Sequence, residues 1–170
     1  MNKDNMKQNL YINEESIEFL LGKFLCENDL TISTAESCTG GMVAAKLISY
    51  PGISNVFLEG AITYSNESKM KRLGVKKETL DKSGAVSKET AEEMAKGIAI
   101  ASGSKVSIVT TGIAGPGGGT KEKPVGLVYI GVYVEGKVIV NKYNFDGNRE
   151  MVRKSATIAA LNLLMDQLCK

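Results

Sequence analysis

The chain contains no histidine. No Ser-His-Asp or Cys-His arrangement and no histidine-ligated metal site can be built from it, so a base for any nucleophile must be of another kind. It also lacks a long run of one charge. The 21 Lys+Arg are spread among 19 Asp+Glu, for a net charge of +2, which gives no electrostatic case for nucleic acid or an anionic membrane surface. A small anionic ligand stays compatible with that balance. The three cysteines, Cys26, Cys38 and Cys169, are odd in number and irregularly spaced, so they make neither a disulfide framework nor a CxxC metal site. Reduced thiols in the cytosol are the expectation. Nothing approaches about 18 consecutive apolar residues, and the segment from Met1 to Ile12 is polar, without the apolar centre of a signal peptide. A cytoplasmic location without membrane contact is therefore expected.

What is present suits one compact domain: 170 residues, of which 43% are hydrophobic. We expect a polar tail over residues 1–12 and a single domain over 13–170. Ile17, Leu20, Leu21, Phe24 and Leu25 repeat at helical spacing and predict an amphipathic helix ending near Asn28. A short strand is expected from Leu30 to Thr34, then a glycine turn at Gly40-Gly41 opening a helix that carries Met42, Ala45, Leu47 and Ile48 and stops at Pro51-Gly52. Val56 to Tyr64 reads as a strand, and Ser65-Asn66 as the cap of a short helix holding Lys69 and closed by Gly74. Ser87 is positioned to cap a helix with Ala91, Met94, Ala95, Ile98 and Ala99 on one face, closed by Gly103.

Lys105 to Thr111 reads as a buried strand, followed by a glycine-dense loop from Gly112 to Lys123 with little apolar content to bury. Val125 to Val134 and Lys137 to Phe145 flank Glu135-Gly136, a two-residue hairpin turn, so that pair is antiparallel. Asn148 can cap a last helix with Val152, Ile158, Leu161, Met165 and Leu168 toward the core. The alternation predicts an α/β fold: three layers, α/β/α, with a mixed sheet that includes an antiparallel hairpin.

The segment Thr34-Ala35-Glu36-Ser37-Cys38-Thr39-Gly40-Gly41 puts a serine where a strand turns into a helix. Amides of Thr39, Gly40 and Gly41 are expected to be unpaired there, so the turn could supply a nucleophile together with an oxyanion hole, or Ser37 could be an ordinary cap. The turn is not a G-x-S-x-G elbow, because Ala35 and Thr39 stand in its glycine places, and no S-x-x-K begins at Ser37. Cys38 is the rival nucleophile and ranks below Ser37, since its thiolate would need a lysine or the helix dipole. Without histidine, the base for a serine is a neutral lysine, a carboxylate or a tyrosinate. Tyr64 and Lys69 offer two of these, against the plain reading of a strand tyrosine and a solvated lysine. Glu36 could orient either group or cap a turn. The loop from Thr110 through Gly112 and Gly115 to Thr120 could form an anion nest or be a mobile surface loop. It matches neither a Walker A loop nor a dinucleotide fingerprint. Arg149, at a strand-to-helix junction, is a candidate clamp for phosphate or carboxylate.

Taken together, Ala35-Glu36-Ser37-Cys38-Thr39-Gly40-Gly41, Thr63-Tyr64-Ser65-Asn66-Glu67-Ser68-Lys69, Gly84-Ala85-Val86-Ser87, Gly112-Ile113-Ala114-Gly115-Pro116 and Lys123-Pro124-Val125-Gly126 resemble the CinA C-terminal domain family in content, order and spacing. The resemblance covers nearly the whole chain after the polar tail. That family includes nicotinamide-nucleotide amidases. The resemblance implies hydrolysis of the carboxamide of nicotinamide mononucleotide to nicotinic acid mononucleotide and ammonia, in pyridine-nucleotide salvage, with no metal and no cofactor. On matching positions Ser37 would be the nucleophile, Lys69 its base and Tyr64 a proton relay or orienting partner. Arg149 and the loop residues Thr110, Gly112 and Gly115 would hold the nucleotide, with Thr39, Gly40 and Gly41 beside the oxyanion. The alternative is a nucleotide-binding regulatory protein of the competence/damage-inducible type that does not cleave its ligand. A domain of this size is expected to form a homo-oligomer, most simply a homodimer. Many family members carry a further N-terminal domain absent from these 170 residues, and some read Asp-Gly-Gly where this loop has Gly117-Gly118-Gly119.

Overall fold

A computed structural model describes residues 16–170 of the protein; the polar tail expected over residues 1–12 lies outside the described residues. The elements run α1 (Ile17–Glu27), β1 (Ile32–Glu36), α2 (Met42–Ile48), β2 (Phe57–Ile62), α3 (Asn66–Leu73), α4 (Lys77–Ser83), α5 (Lys88–Ser102), β3 (Val106–Gly112), β4 (Leu127–Val134), β5 (Lys137–Asn144) and α6 (Arg149–Leu168), with one 3-10 turn at Ile53–Asn55. The sheet order is β2-β1-β3-β4-β5. The first three strands are parallel, and β4 and β5 return antiparallel.

Strands β1 and β3 are buried along nearly their whole length, as apolar and small residues in the middle of a covered sheet should be. On one face Leu21 and Leu25 of α1, Val43 and Leu47 of α2, and Leu161 and Leu164 of α6 pack on Ile32, Ile108 and Ile130. On the other, Leu73 of α3, Leu80 of α4, and Met94 and Ile98 of α5 pack on Ala35 and Val109. Each large side chain so buried contributes about 1.5–3 kcal/mol. The result is the expected three-layer α/β/α fold with a mixed sheet. The hairpin turn is as expected too, with positive φ at both Glu135 (48°) and Gly136 (86°).

Local capping follows the sequence closely. Ser87 Oγ accepts from the Thr90 amide and Asn148 Oδ1 from the Met151 amide. Ser65, and not Asn66, caps α3: its hydroxyl accepts from the Ser68 amide, and the Ser68 hydroxyl accepts from the Ser65 amide. Lys69 therefore stands one residue deeper in α3 than a cap at Asn66 would put it, and its amide bonds back to Ser65 O. Helix α3 is seated on α5 at Gly97, where a Cβ would fall 1.9 Å from the Leu73 carbonyl oxygen, so only glycine permits that approach.

Three features depart from expectation. Helix α4 was not foreseen, because only Leu80 of its seven residues is buried and no stripe marks it. Strand β1 ends at Glu36 instead of Thr34, which makes Ser37 the first residue beyond the sheet. Ile158 is 39% exposed, because Ala156 and Ala160 occupy the buried face of α6 that its spacing had suggested for it.

Candidate active site at the carboxyl end of the sheet

The chain leaves β1 over the face covered by α1, α2 and α6 to reach β2, and returns over the opposite face to β3. From β3 it moves the other way, to β4. Adjacent parallel strands whose chains depart in opposite directions leave a crevice outside their carboxyl ends, the usual place for a ligand in an α/β sheet. Ser37 follows β1, Thr63 and Tyr64 follow β2, the glycine loop follows β3, and β5 delivers the chain to Arg149 at the same end.

At this crevice the Lys69 ammonium lies 3.1 Å from Ser37 Oγ, 2.7 Å from Thr63 O and 3.5 Å from Tyr64 O. Lys69 is 1% exposed and takes part in no ion pair among the described residues. A buried ammonium without a carboxylate partner loses hydration that nothing replaces in full. Burial accordingly lowers its pKa from 10.5 to about 8, against a smaller opposing pull from Cys38. The solvated-surface reading of Lys69 is excluded by this burial. The Cys38 thiol moves the other way: burial pushes it from 9.0 up to about 11, so it stays protonated near neutral pH and is a poor nucleophile.

The turn after Ser37 is held differently from expectation. Glu36 is fully buried, and its Oε2 accepts from the Thr39 hydroxyl (2.6 Å) and the amides of Gly41 (2.9 Å) and Val43 (3.1 Å), while Oε1 accepts from the Ala44 amide (2.8 Å). This carboxylate does the work of a cap for α2, and it consumes the Gly41 amide that was expected to be free. The Gly40 amide is also taken, by Ser37 O at 3.1 Å. Of the three expected free amides only that of Thr39 has no acceptor among the described residues, and the Cys38 amide joins it. Gly40 and Gly41 have φ of 61° and 96°, which explains the pair of glycines as backbone geometry. Thr39 and Thr110 are fully buried and share a 2.7 Å hydrogen bond, so their hydroxyls brace Glu36 and do not reach the crevice.

Tyr64 also departs from its expected part. It meets Lys69 through its backbone carbonyl, while the residue is 62% exposed and its hydroxyl accepts from Arg149 Nη2 at 3.2 Å. The other arm of Arg149, Nη1, donates to Gly115 O at 2.8 Å. Arg149 thus spans a cleft of about 220 Å³ lined by Cys38, Tyr64, residues of the loop from Gly112 to Gly118, and Arg149 itself. Gly112 and Gly115 line this cleft as expected. A larger groove, about 520 Å³, lies between the end of α3 and α5 and contains none of these groups.

One contributor escaped the sequence reading. Arg153, one turn beyond Arg149 on α6, donates from Nε to Cys38 O (3.1 Å) and from Nη2 to Thr39 O (2.8 Å). The only sequence signal was its i+4 spacing from Arg149, which puts both on one helix face.

Fold and site together define a three-layer α/β protein with a half-buried serine, paired with a buried lysine, at the switch point of its sheet. Residues 14–168 match the model of the CinA C-terminal domain, and the chain belongs to that family. It is 60% identical over 169 residues to a protein of Clostridium beijerinckii and 56% identical over 167 residues to one of Clostridium acetobutylicum, both provisionally named competence-damage inducible protein. These alignments cover 99% and 98% of this chain but 41% of each relative, so the chain spans about two fifths of the length of the curated relatives it matches. Among solved structures it resembles competence/damage inducible protein CihA of Agrobacterium tumefaciens, with TM-score 0.86, 39% identity, and coverage of 88% of this chain and 92% of that one.

Proposed function

We propose that the protein hydrolyses the carboxamide of nicotinamide mononucleotide, releasing ammonia and nicotinic acid mononucleotide, with Ser37 as nucleophile and Lys69 as base. The observation that carries this reading is the 3.1 Å contact between Lys69 Nζ and Ser37 Oγ, made by a lysine lowered to about 8 in a chain without histidine. A neutral amine keeps two N–H bonds. Thr63 O and Tyr64 O can accept both, which leaves the lone pair for the Ser37 hydroxyl. The family resemblance supplies the substrate, and Arg149 with the glycine loop is suited to its phosphate and ribose.

In this reading Lys69 takes the Ser37 proton as Oγ attacks the carboxamide carbon, and amides of the turn stabilise the oxyanion. The ammonium of Lys69 returns its proton to the departing nitrogen, ammonia leaves, and water attacks the acyl-enzyme by the reverse path. No metal and no organic cofactor enters. Ammonia release from nicotinamide mononucleotide, measured beside Ser37→Ala, tests it. The variant is expected to lose more than about a hundredfold in kcat while remaining folded; near-unaltered turnover removes Ser37 from the role. Calorimetric binding of the nucleotide without ammonia release by the unaltered protein would favour the non-cleaving regulatory alternative.

A further inference from the structure

We infer that Arg153 is a positioning residue whose guanidinium, by holding the Cys38 and Thr39 carbonyls, sets the turn in which the amides of Cys38 and Thr39 form the oxyanion hole facing the group attacked by Ser37. The inference rests on the serine-hydrolase reading above and goes beyond it by naming the donors and what aims them. Gly40 donates to Ser37 O, and Gly41, Val43 and Ala44 donate to Glu36, so the uncommitted amides nearest the serine are those of Cys38 and Thr39. The amide directly after the nucleophile is the one that nucleophile-elbow hydrolases use for this purpose, and Cys38 lines the cleft.

Arg153 grips two successive carbonyls, Cys38 O at 3.1 Å and Thr39 O at 2.8 Å. A trans peptide directs its N–H opposite to its C=O, so fastening Cys38 O to the guanidinium sends the Thr39 N–H away from Arg153. The Ser37 carbonyl, held by the Gly40 amide, fixes the Cys38 N–H in the same way. The positive charge at Cys38 O also polarises the Cys38–Thr39 peptide and strengthens the Thr39 N–H as a donor. Arg153 meets the turn through the Cys38 and Thr39 carbonyls, so the role assigned to it is to hold the turn and not to bind substrate. A Cβ on Gly40 would lie 3.3 Å from Nη2, so the guanidinium is packed against the turn.

The test measures Arg153→Lys and Arg153→Ala with nicotinamide mononucleotide, and with p-nitrophenyl acetate, whose acyl transfer needs Ser37 and the hole but no nucleotide recognition. The expected result is a fall in kcat of about tenfold to a hundredfold for Arg153→Ala, with KM within about twofold and an equal fall in the Ser37-dependent ester burst. Lysine, which cannot fork, is expected to restore only part. Millimolar guanidinium is expected to restore much of the alanine variant's rate, which a general loss of folding would not allow. A raised KM with unchanged kcat would make Arg153 a substrate contact and overturn the proposal, as would a loss of rate without guanidinium rescue. If the unaltered protein shows the Ser37-dependent burst but no ammonia release, the nucleotide-amide reading fails while the role of Arg153 is still decided by the burst. Absence of any Ser37-dependent burst overturns it too, since no oxyanion would form.

Discussion

Replacing Lys69 by methionine should separate the energetic cost of the buried amine from its chemistry. The fall from 10.5 to about 8, at about 1.4 kcal/mol per pH unit, puts the cost of holding the ammonium in the folded protein at about 3 kcal/mol. Its 1% exposure leaves little solvent to screen that cost. At pH 7 the amine is protonated in both folded and unfolded chains, and the cost is present in full. Between pH 8 and 10.5 the unfolded chain binds more protons than the folded one, so stability rises with pH; equivalently, this stability is lost as pH falls through about 8. By about pH 9.5 the gain over pH 7 reaches about 2 kcal/mol. Lys69→Met keeps the length and apolar volume of the side chain and removes the titration. Urea unfolding followed by circular dichroism at the two pH values should show the unaltered protein gaining about 2 kcal/mol more than the variant, because Cys38, the titrating group coupled to Lys69, is raised to about 11 and stays protonated in the folded protein at both pH values. Parallel pH responses would refute the claim that Lys69 is buried without a counter-charge. The variant should also release no ammonia, and the unaltered protein's kcat/KM should climb with pH to a plateau above about 8.

Glu36→Gln would present an amide NH₂ to a ring of N–H and O–H donors. A loss of about 2–4 kcal/mol in stability is expected from urea titration, and a change below about 0.5 kcal/mol would mean that the four contacts are not holding α2. Gly97→Ala drives a methyl into the Leu73 carbonyl at 1.9 Å, so it should lift α3 off α5, lower stability by more than about 2 kcal/mol, and cut activity through the displaced Lys69. Unchanged melting and turnover would refute that seating. Arg149→Ala should raise KM for the nucleotide about tenfold or more with a smaller effect on the ester burst, because the clamp recognises the ligand and does not take part in the proton transfer. Equal losses on both substrates would count against it.

Much of this architecture was legible because it is local. Ser87, Asn148, Gly74 and Gly103 act within one turn of where they stand, and a two-residue Glu-Gly connection leaves the chain no option but a hairpin. The alternation of helix and strand was enough for the three layers. Ser37 and Lys69 stand out as residue types, since a chain without histidine has few ways to activate a hydroxyl, and the fold brings the two side chains to 3.1 Å. What escaped depends on distance in sequence and on direction. Nothing in the residues around Glu36 says whether its carboxylate turns out to the crevice or back into the α2 amides, and that choice decides which amides remain free. Tyr64 was placed at the right spot, yet which of its two oxygens meets Lys69 depends on a strand end that no spacing rule resolves. Arg153 reads as a surface helix cation until α6 is docked 115 residues away from Cys38. Helix α4 and Ile158 were misjudged because alanines and a lone leucine do most of the packing where a larger stripe would normally be sought.

The reach of α6 back to the turn at Ser37 has a consequence for synthesis. The ribosome delivers the serine early and the two arginines late, and most of the remaining fold lies between them. A nascent chain that ends after β3 carries both Ser37 and Lys69, but it lacks the guanidinium that holds the turn, the arginine that rims the cleft, and the α6 side chains that cover one face of the sheet. On the proposed reading, unfinished chains and fragments cut before Arg149 would therefore hold Ser37 and Lys69 without a working site, and hydrolysis would begin only once the last helix docks.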